Sequence, residues 1–148
     1  MNSVEFEPIG HVESEFEQPS DIPRPANEPV EASGTVVLED QYEPGLLGLE
    51  EFSHVVLVSH LHLVDHVSLQ VTPTGIDAPI GIFATSGTAR PNPIGLSIVR
   101  LEGISNTRLS VSNLDLVDGT PILDVKPFAP KIRDLDTIDY GWMAAEEA

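Results

Sequence analysis

The sequence predicts an all-β fold, a small single domain closed as a barrel or packed as a sandwich, with one short helical segment. Three observations carry this. Short β-branched apolar runs alternate with Gly, Pro, Asn and Asp turn signals about every eight to twelve residues. No Gly-x-Gly-x-x-Gly follows an early strand, and no helical periods alternate with the strands. The length, 148 residues, builds one core and is too short for a Rossmann-type domain with a second domain.

In chain order, Val4 to Val12 reads as a first strand. Gln18 to Pro29 holds four prolines and is excluded from regular structure. Ser33 to Leu38 is a short strand, and Leu46 to Phe52 one or two helical turns. His54 to Leu63, rich in β-branched residues, is a buried central strand. Val67 to Val71 pairs with a neighbour, and Gly81 to Ala84 ends another strand. Leu96 to Ile104, Arg108 to Ser112 and Leu114 to Val117 follow as strands, with Asp118-Gly119 as a hairpin signal. The acidic tail, about 142–148, is expected to fray.

Charge narrows the function. Twenty-four acids against seven Lys and Arg leave a net charge of −17, which opposes a polyanionic partner unless high salt screens it. An acid-rich, lysine-poor chain suits a saline cytoplasm, and thirteen of the acids lie in the first 51 residues, leaving the second half less hostile to RNA. Cysteine is absent, which excludes disulfides and thiol catalysis. No apolar stretch approaches a membrane span and no signal peptide opens the chain, which places it in the cytoplasm.

The densest local signal is GIFATSGTARPNPIGLS, Gly81 to Ser97. A strand end breaks into a stiff loop carrying Arg90 and then resumes as a strand. Pro91 and Pro93 fix their own φ and push Arg90 and Asn92 out of the helical region, so a ligand-binding arginine here loses little entropy. The competing reading is a stiff connector. On the first reading, replacing Arg90 costs turnover and almost no stability. His54, His60, His62 and His66 with Asp65 look at first like a metal centre, but no second cluster supports one, and no metal is expected.

This stretch resembles the signature G-[VI]-F-A-T-R-S-x-x-R-P-N-P-I-G-[LM]-S of the TsaA-like (TrmO-like) tRNA methyltransferases. The likeness extends to Phe6-Glu7-Pro8-Ile9-Gly10, Ile22-Pro23-Arg24-Pro25, Gly48 to His54 and Leu114 to Pro127. It implies a β-barrel over residues 1–148, without the C-terminal domain of bacterial members. It also implies a homodimer, and transfer of a methyl group from S-adenosyl-L-methionine to N6 of threonylcarbamoyladenosine beside the tRNA anticodon. By the resemblance, Pro23, Arg24, Pro25, His62, Leu63 and Ser86 lie against the cofactor.

Chemistry adds further roles. A sulfonium methyl donor needs alignment rather than a covalent nucleophile, so the expected parts are an adenosine pocket, anchors and a proton acceptor. Leu96 and Leu114 are candidates to pack on the adenine, and Asp115 and Asp118 to accept the proton, Asp115 also contacting the cofactor. Asp118 reads equally well as a hairpin residue. Arg90 is expected to act at the reaction centre and, with Asn92, Lys126 and Lys131, to hold the substrate. Ser86-Gly87 stands where the family has Arg-Ser. A shifted substrate, a neighbouring subunit's arginine, or Lys131 or Arg133 would fill that gap. The alternative function is a non-catalytic barrel that binds S-adenosylmethionine or a nucleotide, and a third is methylation of a small molecule.

Overall fold

A computed structural model of the chain describes residues 2–23, 30–132 and 135–146. The strands are β1 (Gly10–Glu13), β2 (Ser33–Leu38), β3 (His54–His60), β4 (Gln70–Val71), β5 (Ile80–Gly81), β6 (Ile94–Ser105), β7 (Arg108–Ser112) and β8 (Pro121–Pro127). Six of them close a barrel in the order β1-β2-β7-β6-β3-β8, while β4 and β5 form a separate two-stranded ribbon. Every pairing is antiparallel, and the seam closes through Gly10 opposite Ile122 and His11 opposite Pro121. The barrel form of the expected fold is the observed one.

Alternation builds the interior. Along β3, Val55, Leu57 and Ser59 are fully buried while their neighbours face outward, and β6 opposes them from His54↔Arg100 to His60↔Ile94. Val12, Val36, Val99, Leu109 and Ile122 complete the same core. On the outer face of β6 the period leaves an apolar stripe, with Ile94, Leu96 and Ile98 exposed by 45, 71 and 53%.

Several expectations are corrected. The first strand starts only at Gly10, because Pro8 has no N–H for a ladder, and Val4 and Phe6 before it are 76 and 70% exposed. The short helical segment expected at Leu46 to Phe52 is present as the 3₁₀ turn Leu49–Glu51, and a further 3₁₀ segment, Asp40–Leu46, precedes it, with Gly48 at φ +91 between them. The central strand stops at His60, where Leu61 N–H turns to the Pro93 carbonyl at 2.8 Å.

Leu114 to Val117 is not a strand. Asn113, at φ +63, ends β7, and Leu114, Leu116 and Val117 then turn inward as a plug, at most 7% exposed. The plug is tied by backbone bonds from Leu114 to Ala32 and from Asp118 to Phe16. Asp118-Gly119 is a turn, with Gly119 at φ +81, but it joins this plug to β8 rather than two strands of a hairpin. The segment from Trp142 onward begins inside a 3₁₀ turn, Gly141–Glu146, and the Trp142 indole N–H donates to the Ala84 carbonyl at 2.6 Å.

The plug depends on one glycine. A Cβ on Gly34 would overlap Leu114 Cδ2 and sit 2.6 Å from the Glu13 carbonyl oxygen. Gly34→Ala is therefore expected to destabilise the barrel by about 2–3 kcal/mol, as overpacking against backbone does. A urea titration checks this, and an unchanged midpoint contradicts the packing described.

Candidate functional site

At the end of the barrel where β3 finishes and β6 begins lies a cleft of about 60 Å³ that is partly open to solvent. Three irregular segments form it: the 3₁₀ turn Pro19–Asp21 with Ile22, the turn at Leu61 to Val64, and the plug from Asp115 to Thr120. Leu61, Leu63, Ile22 and Leu116 make its walls apolar, and His62, Thr88, Asp115 and Thr120 are its polar points, the Thr120 hydroxyl already donating to the Val117 carbonyl. Leu61 is held close to the strand, since a Cβ on Gly95 would come within 2.9 Å of Leu61 Cδ2 and 2.6 Å of Ser59 Oγ.

Asp115 lies between the buried side chains of Leu114 and Leu116, so its own side chain is left on the exposed side of the plug. Its Oδ1 accepts a 2.6 Å hydrogen bond from Ser97 Oγ, and Ser97 is itself only 5% exposed. An acidic group set in an apolar wall complements a ligand that carries donors or positive charge.

The signature loop is organised by its own arginine. Arg90 Nη1 donates to the carbonyls of Ile82, Thr85 and Gly87 at 3.0, 2.8 and 3.1 Å. Thr85 Oγ1 caps the turn by accepting from Gly87 N–H and donating to the Ile82 carbonyl. The guanidinium also lies 5.9 Å from the centroid of Phe83, which is 76% exposed. The expectation of a free arginine with little structural value is thus corrected: one terminal nitrogen gathers three carbonyls of the loop.

Of the other residues singled out in the sequence, His62, Leu63 and Asp115 meet at the cleft. Leu114 does not, being fully buried in the core. Leu96 does not either, because strand parity sends it to the outer face of β6. The Asp118 carboxylate accepts from the Ser14 backbone N–H at 3.0 Å, tying the turn after the plug to the chain that follows β1, so it stands outside the cleft lining and closes no hairpin. Pro23, Ser86 and Asn92 are exposed and stand outside the cleft wall. Lys126 Nζ pairs with Asp124 at 3.0 Å on the outer face of β8, and Lys131 is exposed. Arg24, Pro25 and Arg133 lie outside the described residues.

His66 pairs with Asp65 at 3.2 Å, and Ser53 Oγ lies 2.8 Å from His54 Nδ1. Among the described residues no three His, Asp or Glu side chains are grouped for a metal ion. Sequence reasoning missed Ser97, Thr88, Ile22 and Leu116. For Ser97 the signal was available: it shares the inward parity of Val99 on β6.

Residues 11–134 match the family model described as the tRNA-methyltransferase O N-terminal domain. The chain belongs to this family. A similar barrel occurs in the crystal structure of TrmO from Pseudomonas aeruginosa, with a TM-score of 0.75 and 38% identity over 95% of this chain and 62% of that one. Among sequence relatives, the S-adenosyl-L-methionine-binding protein of Archaeoglobus fulgidus is 34% identical over 134 residues, covering 90% of this chain and 96% of that protein. The tRNA (adenine(37)-N6)-methyltransferase of Escherichia coli K12 is 37% identical over 145 residues, covering 91% of this chain and 62% of that enzyme. The TrmO N-terminal domain thus accounts for residues 11–134 of this chain, which spans under two thirds of those two bacterial proteins.

Proposed function

We propose that this chain transfers the methyl group of S-adenosylmethionine to N6 of threonylcarbamoyladenosine beside the anticodon of tRNA. The observation that carries the proposal is the apolar cleft with Asp115 on its wall, in a chain of the TrmO N-terminal family. The residues present fit that cofactor: apolar walls suit an adenine, and a carboxylate suits the hydroxyl donors and positive charge of a sulfonium nucleoside. When bound, the cofactor supplies an electrophilic methyl group.

The chain's own residues do the rest. Ile22, Leu61, Leu63 and Leu116 exclude water, which strengthens every polar contact inside. Asp115 accepts hydrogen bonds from the nucleoside and takes the proton that leaves the attacking nitrogen. The loop gathered by Arg90 borders the cleft through Thr88, presents Asn92 and the Arg90 guanidinium to the RNA, and keeps them rigid. A homodimer in a saline cytoplasm completes the reading, a second copy covering the apolar stripe of Ile94, Leu96 and Ile98.

One observation favours a second reading, a barrel that binds the cofactor without transferring its methyl group. Of the five cations in the described residues, Arg90 is bonded to carbonyls, and Arg100, Arg108 and Lys126 are paired with Glu102, Glu13 and Asp124. That leaves little positive charge for phosphates.

Incubation with methyl-labelled S-adenosylmethionine separates the two. The purified chain is expected to label tRNA that carries threonylcarbamoyladenosine and to leave an unmodified transcript unlabelled. Cofactor binding without label in either RNA would replace the enzyme reading with the binding one.

A further inference from the structure

Ser97 is a buried hydroxyl on the inward face of β6, 5% exposed and opposite Leu57 of β3. A buried hydroxyl needs a partner for its proton, and here the partner is Asp115 Oδ1 at 2.6 Å. Among the described residues no protein donor reaches the second oxygen, Oδ2.

An aspartate carboxyl otherwise rotates broadly about χ2. With Oδ1 tied to the barrel wall, that rotation is stopped. The anchor itself is rigid: Gly95, two residues earlier, has no room for even a Cβ between Ser59 Oγ and Leu61 Cδ2, so β6 and the cleft wall are pressed together at this point. Leu114 and Leu116, both buried, fix Asp115 from either side.

We infer that Ser97 is a positioning residue: its hydroxyl holds Asp115 so that Oδ2 faces the cleft as a preorganised acceptor for the ligand. The inference rests on the reading above in which Asp115 contacts the bound nucleoside. Preorganised groups add affinity because their ordering precedes binding.

The test is a double-mutant cycle read by calorimetric titration with S-adenosylhomocysteine, each variant's melting temperature being recorded alongside. Asp115→Ala and Ser97→Ala are each expected to weaken binding by about tenfold, and the double variant to bind no more weakly than Asp115→Ala alone, because Ser97 acts only through Asp115. Ser97→Cys keeps the volume and offers only a weak S–H donor, so it is expected to show the loss seen in Ser97→Ala.

Wild-type affinity in Ser97→Cys, or losses that multiply in the double variant, would overturn the inference. If Asp115→Ala weakens binding and neither Ser97 variant does, only the role of Ser97 fails. If Asp115→Ala binds as the wild type does, the cofactor contact of Asp115 fails, and the inference with it.

Discussion

Replacing Arg90 with alanine is expected to lower the melting temperature by about 4–8 °C and the rate of methyl transfer by about a hundredfold. The thermal part follows from three carbonyls gathered on Nη1. Hydrogen bonds to a charged group contribute about 1.5–3 kcal/mol each, but one nitrogen offers two protons to three acceptors, and the released carbonyls regain water in a half-buried loop. A net loss of about 2 kcal/mol remains, which for a domain of this size shifts the midpoint by the stated amount.

The kinetic part is larger because the loop carries Thr88 at the cleft. Losing the clamp releases the geometry and removes the positive charge together, and a hundredfold corresponds to about 2.7 kcal/mol of barrier. Arg90→Lys is expected to restore the charge and little of either loss, since an ammonium cannot reproduce the planar fork of a guanidinium. Melting curves and initial rates of all three proteins decide this. A wild-type melting temperature in Arg90→Ala, with activity rescued by lysine, would make Arg90 a plain phosphate anchor.

Raising KCl from about 0.1 M to 1–2 M is expected to increase both the melting temperature and the rate of tRNA methylation. Two effects oppose one another. Salt weakens phosphate contacts through counterion release, and it screens the repulsion among a net −17 charges and between them and RNA, the screening length falling from about 10 Å to about 3 Å. The attractive term is small here because Arg100, Arg108 and Lys126 already face acids. These are exposed pairs, each of little value to stability, so screening them costs less than the relief of self-repulsion returns. A melt and a transfer assay on one preparation across that range provide the check. Stability and activity that are both highest at low salt would remove the saline adaptation.

Arg108 to Ser112 was legible to the residue because its two-residue alternation is bounded by Asn106 and Asn113, and Ser33 to Leu38 because of its β-branched run Thr35-Val36-Val37. Leu114 to Val117 was not. A short apolar run reads the same whether it pairs in a sheet or folds into a barrel mouth, and the deciding facts, Asn113 at positive φ and a Cβ-free Gly34 opposite Leu114, depend on contacts across the chain. Arg90 shows the same limit at the site. Its loop was visible in the prolines, whereas the oxygens it meets belong to residues three to eight positions earlier and emerge only with the turn at Ile82 to Ala84. Outward Leu96 and inward Ser97 differ by strand parity alone, a distinction that the alternation along β6 already carries.

The proposed reaction is tested most directly by mass spectrometry of tRNA nucleosides from cells with the gene for this chain deleted and then restored. Methylated threonylcarbamoyladenosine is expected to disappear on deletion, with its unmethylated precursor accumulating, and to return when this chain is expressed, but not when its Asp115→Ala variant is. An unchanged nucleoside profile after deletion would contradict the assignment of this barrel as the methyltransferase.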